Sequence, residues 1–143
     1  MNPKLADRAR ALNTKPLNSD GKFVLYWMIA NRRFHTNAAL EYAAHVAHQK
    51  NVPLIVLEEI STRHSFANDR ITSFMIQGML DNIRTFRENK IRYIPWVETP
   101  LSGKTGKLHE LASDAVMVIS DEFPTYFPRK AVESAARSLP YRL

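Results

Sequence analysis

The sequence predicts an α/β fold with a doubly wound, mostly parallel sheet between two layers of helices. Apolar runs without polar alternation, at Phe23–Met28 and Ala115–Ile119, are typical of strands buried on both faces, as in parallel sheets. Segments with strand and helix patterns also alternate along the chain, which favours right-handed βαβ crossovers. We expect five strands in the order 3-2-1-4-5, with the fifth strand beginning at Pro140 and incomplete.

Each element has a local signal. Pro53 stands at the first position of a strand, where proline is tolerated, and Pro95 inside a strand indicates a sheet edge. Thr36 is a candidate N-cap for the first helix. In the second helix, one face is expected to belong to the core: Ile71, Phe74, Met75, Gly78, Met79 and Phe86. The predicted strands are 22–28, 53–57, 92–97 and 115–119, and the predicted helices are 36–50, 69–88, 107–113 and 129–137.

Composition limits the class of protein. The 143 residues are 45% hydrophobic, which suits one globular domain. There is no cysteine, so disulfides and thiolate metal sites are excluded. No apolar run approaches the ~18 residues of a membrane span, and the N-terminus lacks the apolar core of a secretory signal. We therefore expect a cytoplasmic protein that does not enter the membrane.

The net charge of +6 is concentrated near the N-terminus. Residues 1–35 hold seven Lys and Arg against two Asp, and the remainder is nearly balanced. Such a basic segment can contact phosphates without sequence specificity, or it can be a frayed and solvated leader, which we favour. DNA binding by the chain alone is accordingly expected to be weak and salt-sensitive.

Motifs for common cofactors are missing. No G-x-G-x-x-G is present, so a standard dinucleotide cradle is absent. His45 and His48 lie three residues apart on a predicted helix, but no third ligand is evident. We predict no metal site.

Polar residues gather where the predicted strands end. Arg32 and Arg33 follow the first strand, Glu58 and Glu59 the second, and Ser120-Asp121-Glu122 the fourth. In open α/β sheets this edge forms a ligand crevice. Alternatively, the arginines are solvated, Glu58 pairs with one of them, and the acidic pair caps a turn. The candidate cofactor-binding residues are Met28, Ala30, Arg33, Asn37, Glu58, Ser120, Asp121 and Phe123.

Several segments resemble the N-terminal domain of class II DNA photolyases, the enzymes that repair cyclobutane pyrimidine dimers. The similar segments, in the family's order, are 8–16 (RARALNTKP), Tyr26-Trp27-Met28 with Asn37-x-x-Leu40, 53–58 (PLIVLE), 67–70 (ANDR) with Phe74 and 78–82 (GMLDN), and 119–124 (ISDEFP). The resemblance covers essentially the whole chain.

The resemblance implies a Rossmann-like domain that holds, in some members, an antenna chromophore, either 8-hydroxydeazaflavin or a folate. It divides the chain into an extended basic leader (1–21) and the α/β domain (22–143). The family's helical domain, which carries FAD, is not expected on this chain. Light-driven lyase activity is therefore not expected from it alone, and the helical domain becomes its expected partner.

Two other functions stay open. The chain could be a free-standing module that binds an adenine nucleotide in the same crevice. It could also be a docking domain for a separately encoded helical protein. A truncated fifth strand predicts in addition a homodimer through the C-terminal edge, with Tyr126, Phe127, Tyr141 and Leu143 as candidate exposed apolar groups.

Overall fold

A four-stranded parallel sheet forms the centre of the molecule. A computed structural model describes residue 5 and residues 7–61, 68–98, 106–124 and 126–143, without the side chains of 126 and 127. Strands and helices alternate as the sequence predicts. They are β1 (Phe23–Trp27), α1 (Ala38–Lys50), β2 (Leu54–Ser61), α2 (Asp69–Glu88), β3 (Arg92–Glu98), α3 (Lys107–Ala112), β4 (Ala115–Ser120) and α4 (Tyr126–Ser138).

The strands lie in the order β3-β2-β1-β4, and every pair is parallel. The central strand β1 is buried at all five positions, which explains its unbroken apolar sequence. In register, Trp27 lies opposite Leu57 on one side and Ser120 on the other. The strand that contains Pro95 is at an edge, as predicted.

The described residues do not form the fifth strand that was expected from Pro140. Residues 139–143 have no strand geometry. They nevertheless cover part of the β4 edge, since the Val118 amide donates to the Arg142 carbonyl at 2.9 Å. The leader covers the neighbouring part of this edge, where the Asn18 amide donates to the Val116 carbonyl at 2.9 Å. Leu143, which was expected to be exposed, is 5% exposed and belongs to the core.

The leader is attached to the C-terminal segment, so the description of it as frayed was wrong for residues 12–18. The Leu12 amide donates to the Leu143 carbonyl at 2.8 Å, and the Arg142 amide donates to the Pro16 carbonyl at 3.1 Å. The Asn13 side-chain amide donates to the carbonyls of Ala136 and Tyr141. The Lys15 ammonium donates to the Arg137 and Leu139 carbonyls, where α4 ends, a favourable place for a cation.

The sheet separates two apolar cores, because successive strand residues point to opposite faces. Val24, Tyr26 and Met28 pack with α1 and with Phe86 of α2 on one face. Leu25, Trp27 and Ile29 pack with residues of α3 and α4 on the other. We call these the α1/α2 face and the α3/α4 face.

Only the C-terminal half of α2 packs as expected. Its buried residues are Met79, Asn82 and Phe86, whereas Ile71 and Phe74 are 47% and 76% exposed. The reason is length, since a 20-residue helix spans about 30 Å and a seven-residue strand about 23 Å. The helix is therefore longer than the sheet it packs on.

The first helix begins one residue later than the Thr36 cap predicted. Asn37 is the N-cap, and its side-chain oxygen accepts from the Leu40 amide at 3.1 Å. Thr36 instead has a left-handed backbone with φ 53°. Within the described ranges, no helix combines the length and the apolar content needed to cross a bilayer.

Candidate functional site

The second strand is longer than predicted and carries two consecutive carboxylates. β2 continues to Ser61, so Glu58 and Glu59 lie within the strand and not in the loop after it. Because strand side chains alternate, the two carboxylates point to opposite faces of the sheet. Their environments differ accordingly.

Glu58 is 1% exposed on the α1/α2 face and is fully engaged. One carboxylate oxygen accepts from Arg32 Nη1 at 3.1 Å. The other accepts from Asn82 Nδ2 at 2.9 Å and from the Tyr93 hydroxyl at 2.6 Å. Burial and the bond to Glu58 raise the pKa of Tyr93, which therefore remains a donor at neutral pH. This cluster joins three elements and the β1–α1 loop, and its polar groups satisfy one another.

Asp121 fixes the loop after β1. Its carboxylate accepts from the backbone amides of Ile29 and Ala30, both at 3.0 Å, and from that of Asn31. Asp121 is 4% exposed, so it shows little of its charge to solvent. The aspartate therefore holds the backbone of the 29–31 loop in place, whereas Glu122 forms an exposed ion pair with Arg10. The alternative in which the two acidic residues cap a turn together thus describes Asp121 in part and Glu122 not at all.

Asn37 also holds the loop between β1 and α1 in place. It is 1% exposed, exchanges hydrogen bonds with the Tyr26 hydroxyl and donates to the carbonyls of Asn31 and Arg33. Burial raises the pKa of Tyr26. The loop before α1 is thereby held from both ends.

A cavity of about 520 Å³ opens on the α3/α4 face at the carboxyl ends of β1 and β2. Its size is in the range of small-molecule sites. Aromatic and aliphatic groups form much of its lining, and a few polar side chains interrupt them. The lining includes Trp27, Ile29, Ala30, Arg32, Glu59, Ile60, Ser61, Met75, Glu98, Leu108, His109, Phe123, Ala131 and Ser134.

Two polar groups in the cavity wall are held firmly by the fold. Arg32 donates from Nε to the Ile29 carbonyl, from Nη1 to Glu58 and from Nη2 to the Glu59 carbonyl. Glu59 accepts from the Lys107 amide at 2.7 Å, at the start of α3. Burial raises the pKa of Glu59, with a further contribution from Glu98, while the backbone amides at 107 and 108 oppose the shift.

A third polar group of a residue that lines the cavity has no partner among the described residues. This group is the indole Nε1 of Trp27, which is buried, and the residue is 6% exposed. A buried donor without an acceptor costs about 1–3 kcal/mol. Among the described residues, no cluster of three or more His, Asp or Glu side chains is arranged to hold a metal ion.

The structure brings only some of the eight candidate residues to the cavity. Ala30 and the half-exposed Phe123 line it. Met28 lies in the α1/α2 core, and Ser120 donates to the Trp27 carbonyl at 2.9 Å. Asn37, Glu58 and Asp121 bind other protein groups, as described above. The side chain of Arg33 is exposed, and its Nη2 makes a long contact of 3.5 Å with the Thr36 carbonyl.

The eight candidate residues include neither Trp27 nor Glu59, although both line the cavity and Glu59 belongs to the polar group predicted at the strand ends. Trp27 lies inside an apolar strand, where a core role is the simplest interpretation. The available signal was alternation: residues 27, 29, 57 and 59 share one face once the register of two parallel strands is fixed.

Comparison with known proteins gives one clear similarity, although no protein-family model matches the chain. Over 134 residues, which is 94% of its length, the chain is 34% identical to the deoxyribodipyrimidine photo-lyase of Methanothermobacter thermautotrophicus (strain Delta H). The aligned part is 29% of that protein, so the chain spans less than a third of the relative's length. The similarity supports a relationship to the photolyase family over a part of such a protein.

Proposed function

We propose that this chain is the N-terminal, antenna-chromophore domain of a class II-type deoxyribodipyrimidine photolyase. The observation that carries the proposal is the 34% identity to a photolyase along 94% of the chain. The parallel sheet and the cavity at the carboxyl ends of its strands support a ligand-binding role for this domain.

The proposed ligand is 8-hydroxydeazaflavin or a reduced folate, bound in the cavity on the α3/α4 face. The domain would hold the chromophore, and excitation energy would pass to the flavin of a helical domain. FAD binding and dimer repair are assigned to that partner domain, and DNA contacts of this chain are weak.

Binding of the chromophore to the purified chain tests the proposal. Titration with 8-hydroxy-5-deazaflavin, and separately with 5,10-methenyltetrahydrofolate, should give a saturable change in absorbance for one of them. Ala131→Phe should lower that affinity at least tenfold because the new ring occupies the cavity that residue 131 lines.

Ala44→Phe provides the matched control. Ala44 is exposed on α1, away from the cavity, so this variant should bind as the unchanged chain does. Failure of both chromophores to bind would overturn the proposal. Saturable binding of AMP in their place would favour the alternative, an adenine-nucleotide module.

A further inference from the structure

The N-terminal half of α2 exposes apolar side chains that the rest of the described chain leaves uncovered. Phe74 is 76% exposed and Ile71 is 47% exposed. The two residues are three positions apart on a helix and therefore lie on the same side of it. Neither of them lines the cavity on the α3/α4 face, so this surface is separate from the proposed ligand site.

Gly78 lies one turn after Phe74 on the same side of α2 and leaves a gap in the helix surface. Glycine in the interior of a helix lowers its stability relative to alanine. No described neighbour requires the glycine, because a Cβ added at this position would meet nothing within 4 Å. The absent side chain leaves room for a group of another molecule, one turn away from the exposed Phe74 ring.

Two residues of opposite charge flank Phe74 and Gly78 on this side of the helix. Arg70 and Asp81 are both exposed, and neither forms an ion pair with another residue in the described ranges. They are separated by about 16 Å along the helix, so they cannot pair with each other within one chain. The four residues follow the spacing i, i+4, i+8 and i+11 of a helical stripe, which we call the α2 stripe.

The α2 stripe is complementary to itself after a rotation by 180°. When two copies of α2 lie antiparallel about an axis between residues 75 and 76, residue 70 of one copy is level with residue 81 of the other. Arg70 then faces Asp81 twice, once in each half of the contact. Residue 74 is level with residue 77, which places each Phe74 ring beside the gap at Gly78 of the other copy. An isologous interface has this property, since the same patch serves both subunits.

We propose that α2 packs antiparallel against α2 of a second copy of this chain, with Phe74 beside Gly78 and with Arg70 paired to Asp81 across a two-fold axis. The charges of the whole helix favour a second copy over a strongly acidic or basic partner. Three basic residues match three acidic ones: Arg70, Arg84 and Arg87 against Asp69, Asp81 and Glu88. A contact through one helix from each partner is smaller than the ~800 Å² per partner of a standard interface, so the dimer is weak.

Sedimentation equilibrium of the full chain, at concentrations from micromolar to millimolar, tests the proposal. Phe74→Ser should raise the dimer Kd at least tenfold, because it removes the largest apolar group of the α2 stripe. Leu80→Ser is the matched control. Leu80 is 58% exposed on the same helix but lies about 120° around it from Phe74, so this variant should associate as the unchanged chain does. Circular dichroism shows whether each variant is folded.

Exchange of charges tests the antiparallel arrangement. Arg70→Asp opposes two acids in each half of the contact, and Asp81→Arg opposes two bases, so each variant alone should dimerise about tenfold more weakly at low ionic strength. The variant with both changes should regain the original Kd. An equimolar mixture of the two single variants should form a heterodimer, because both charge contacts of the mixed pair then join an acid to a base.

The possible results either support or overturn the inference. A chain that stays monomeric throughout overturns it and leaves the surface to a different protein. A dimer that Phe74→Ser does not weaken also overturns it, since the interface then lies elsewhere, for example at the C-terminal edge. Weakening by Phe74→Ser without recovery in the mixture of charge variants overturns the antiparallel arrangement. None of these results depends on the chromophore titration, because no residue of the α2 stripe lines the cavity.

Discussion

The two faces of the sheet treat consecutive residues of β2 in opposite ways. On the α1/α2 face, the carboxylate of Glu58 has three side-chain partners and is almost completely buried. On the α3/α4 face, Glu59 lines a cavity together with Trp27, whose buried indole N–H has no acceptor among the described residues. On the first face the Glu58 carboxylate is satisfied by other protein groups, whereas on the second face the buried indole N–H of Trp27 has no acceptor among the described residues. A polar side chain near the end of a strand therefore indicates a ligand site only when other protein groups leave its hydrogen-bonding capacity unsatisfied.

The largest effect is expected from Glu58→Gln. Removing the charge leaves Arg32 next to a neutral amide and gives Asn82 and Tyr93 a poorer acceptor, so the free energy of unfolding should fall by about 3 kcal/mol. Urea unfolding followed by circular dichroism measures this change. A loss below about 1 kcal/mol would show that the stability of the α1/α2 face does not depend on the buried charge of Glu58.

Asp121→Asn should be the next most damaging change. One carboxylate oxygen is replaced by a donor that faces backbone amides of the 29–31 loop, which should cost about 2 kcal/mol. The neighbouring change Glu122→Gln affects only an exposed pair with Arg10 and should cost about 0.5 kcal/mol or less. Equal effects of the two variants, again in urea unfolding, would contradict the structural role of Asp121.

Tyr93→Phe separates the contribution of the hydroxyl to stability from that of the ring on the α1/α2 face. It removes the 2.6 Å bond to Glu58 but keeps the ring that stacks on Phe86, so a loss of about 1–2 kcal/mol is expected. Tyr42→Phe, at a half-buried position near the same core, is the matched control and should change stability by less. Thermal unfolding monitored by calorimetry gives both values, and a neutral Tyr93→Phe would argue against the cluster.

The smallest effect at neutral pH is expected from Glu59→Gln, although its pH dependence is distinctive. Burial raises the pKa of Glu59 in the folded chain, so between its ordinary pKa and the raised value the folded state binds more protons than the unfolded state. Glu59 thus costs stability as pH rises through that window. Relative to the unchanged chain, the variant should gain stability over the same rise and differ by under about 1 kcal/mol at pH 7.

Stability curves of the two proteins between pH 3 and 8 measure this difference. Parallel curves would show that the Glu59 carboxylate is not desolvated. A ligand that occupies the cavity should alter the stability curve of the unchanged chain in the pH range where Glu59 titrates. The curve of Glu59→Gln, which lacks this carboxylate, should stay parallel to its unliganded curve.

Much of the fold followed from local pattern. The alternation of apolar strands with amphipathic segments predicted the parallel sheet, the positions of the helices α1 to α4 and, through Pro95, an edge strand. The sequence does not show how far a helix extends beyond the sheet on which it packs. Ile71 and Phe74 match a core face in sequence, but they lie where α2 extends beyond the sheet and are exposed. The fifth strand was predicted from topology, and the described residues 139–143 do not form it.

The candidate site was harder to predict because residue type does not show whether a polar group is satisfied. Asp121 and Glu58 follow the pattern of ligand residues, yet both bind protein groups. Trp27 follows the pattern of a core residue, yet its N–H finds no acceptor within the part of the chain that the structure describes. Whether a polar group is satisfied depends on partners that are distant in sequence, such as Asn82 for Glu58.

The hydrogen bonds between the leader and the C-terminal segment have a consequence for the folding kinetics. The Leu143 amide donates to the Asn13 side chain across 130 positions of sequence, and the contact of Asn13 with Ala136 spans 123. Closing so long a loop carries a large entropic cost, and contacts of this kind slow folding. These hydrogen bonds should thus form after the sheet has formed and break before the sheet unfolds. Amide hydrogen exchange should be correspondingly faster at Leu12 and Arg142 than in β1.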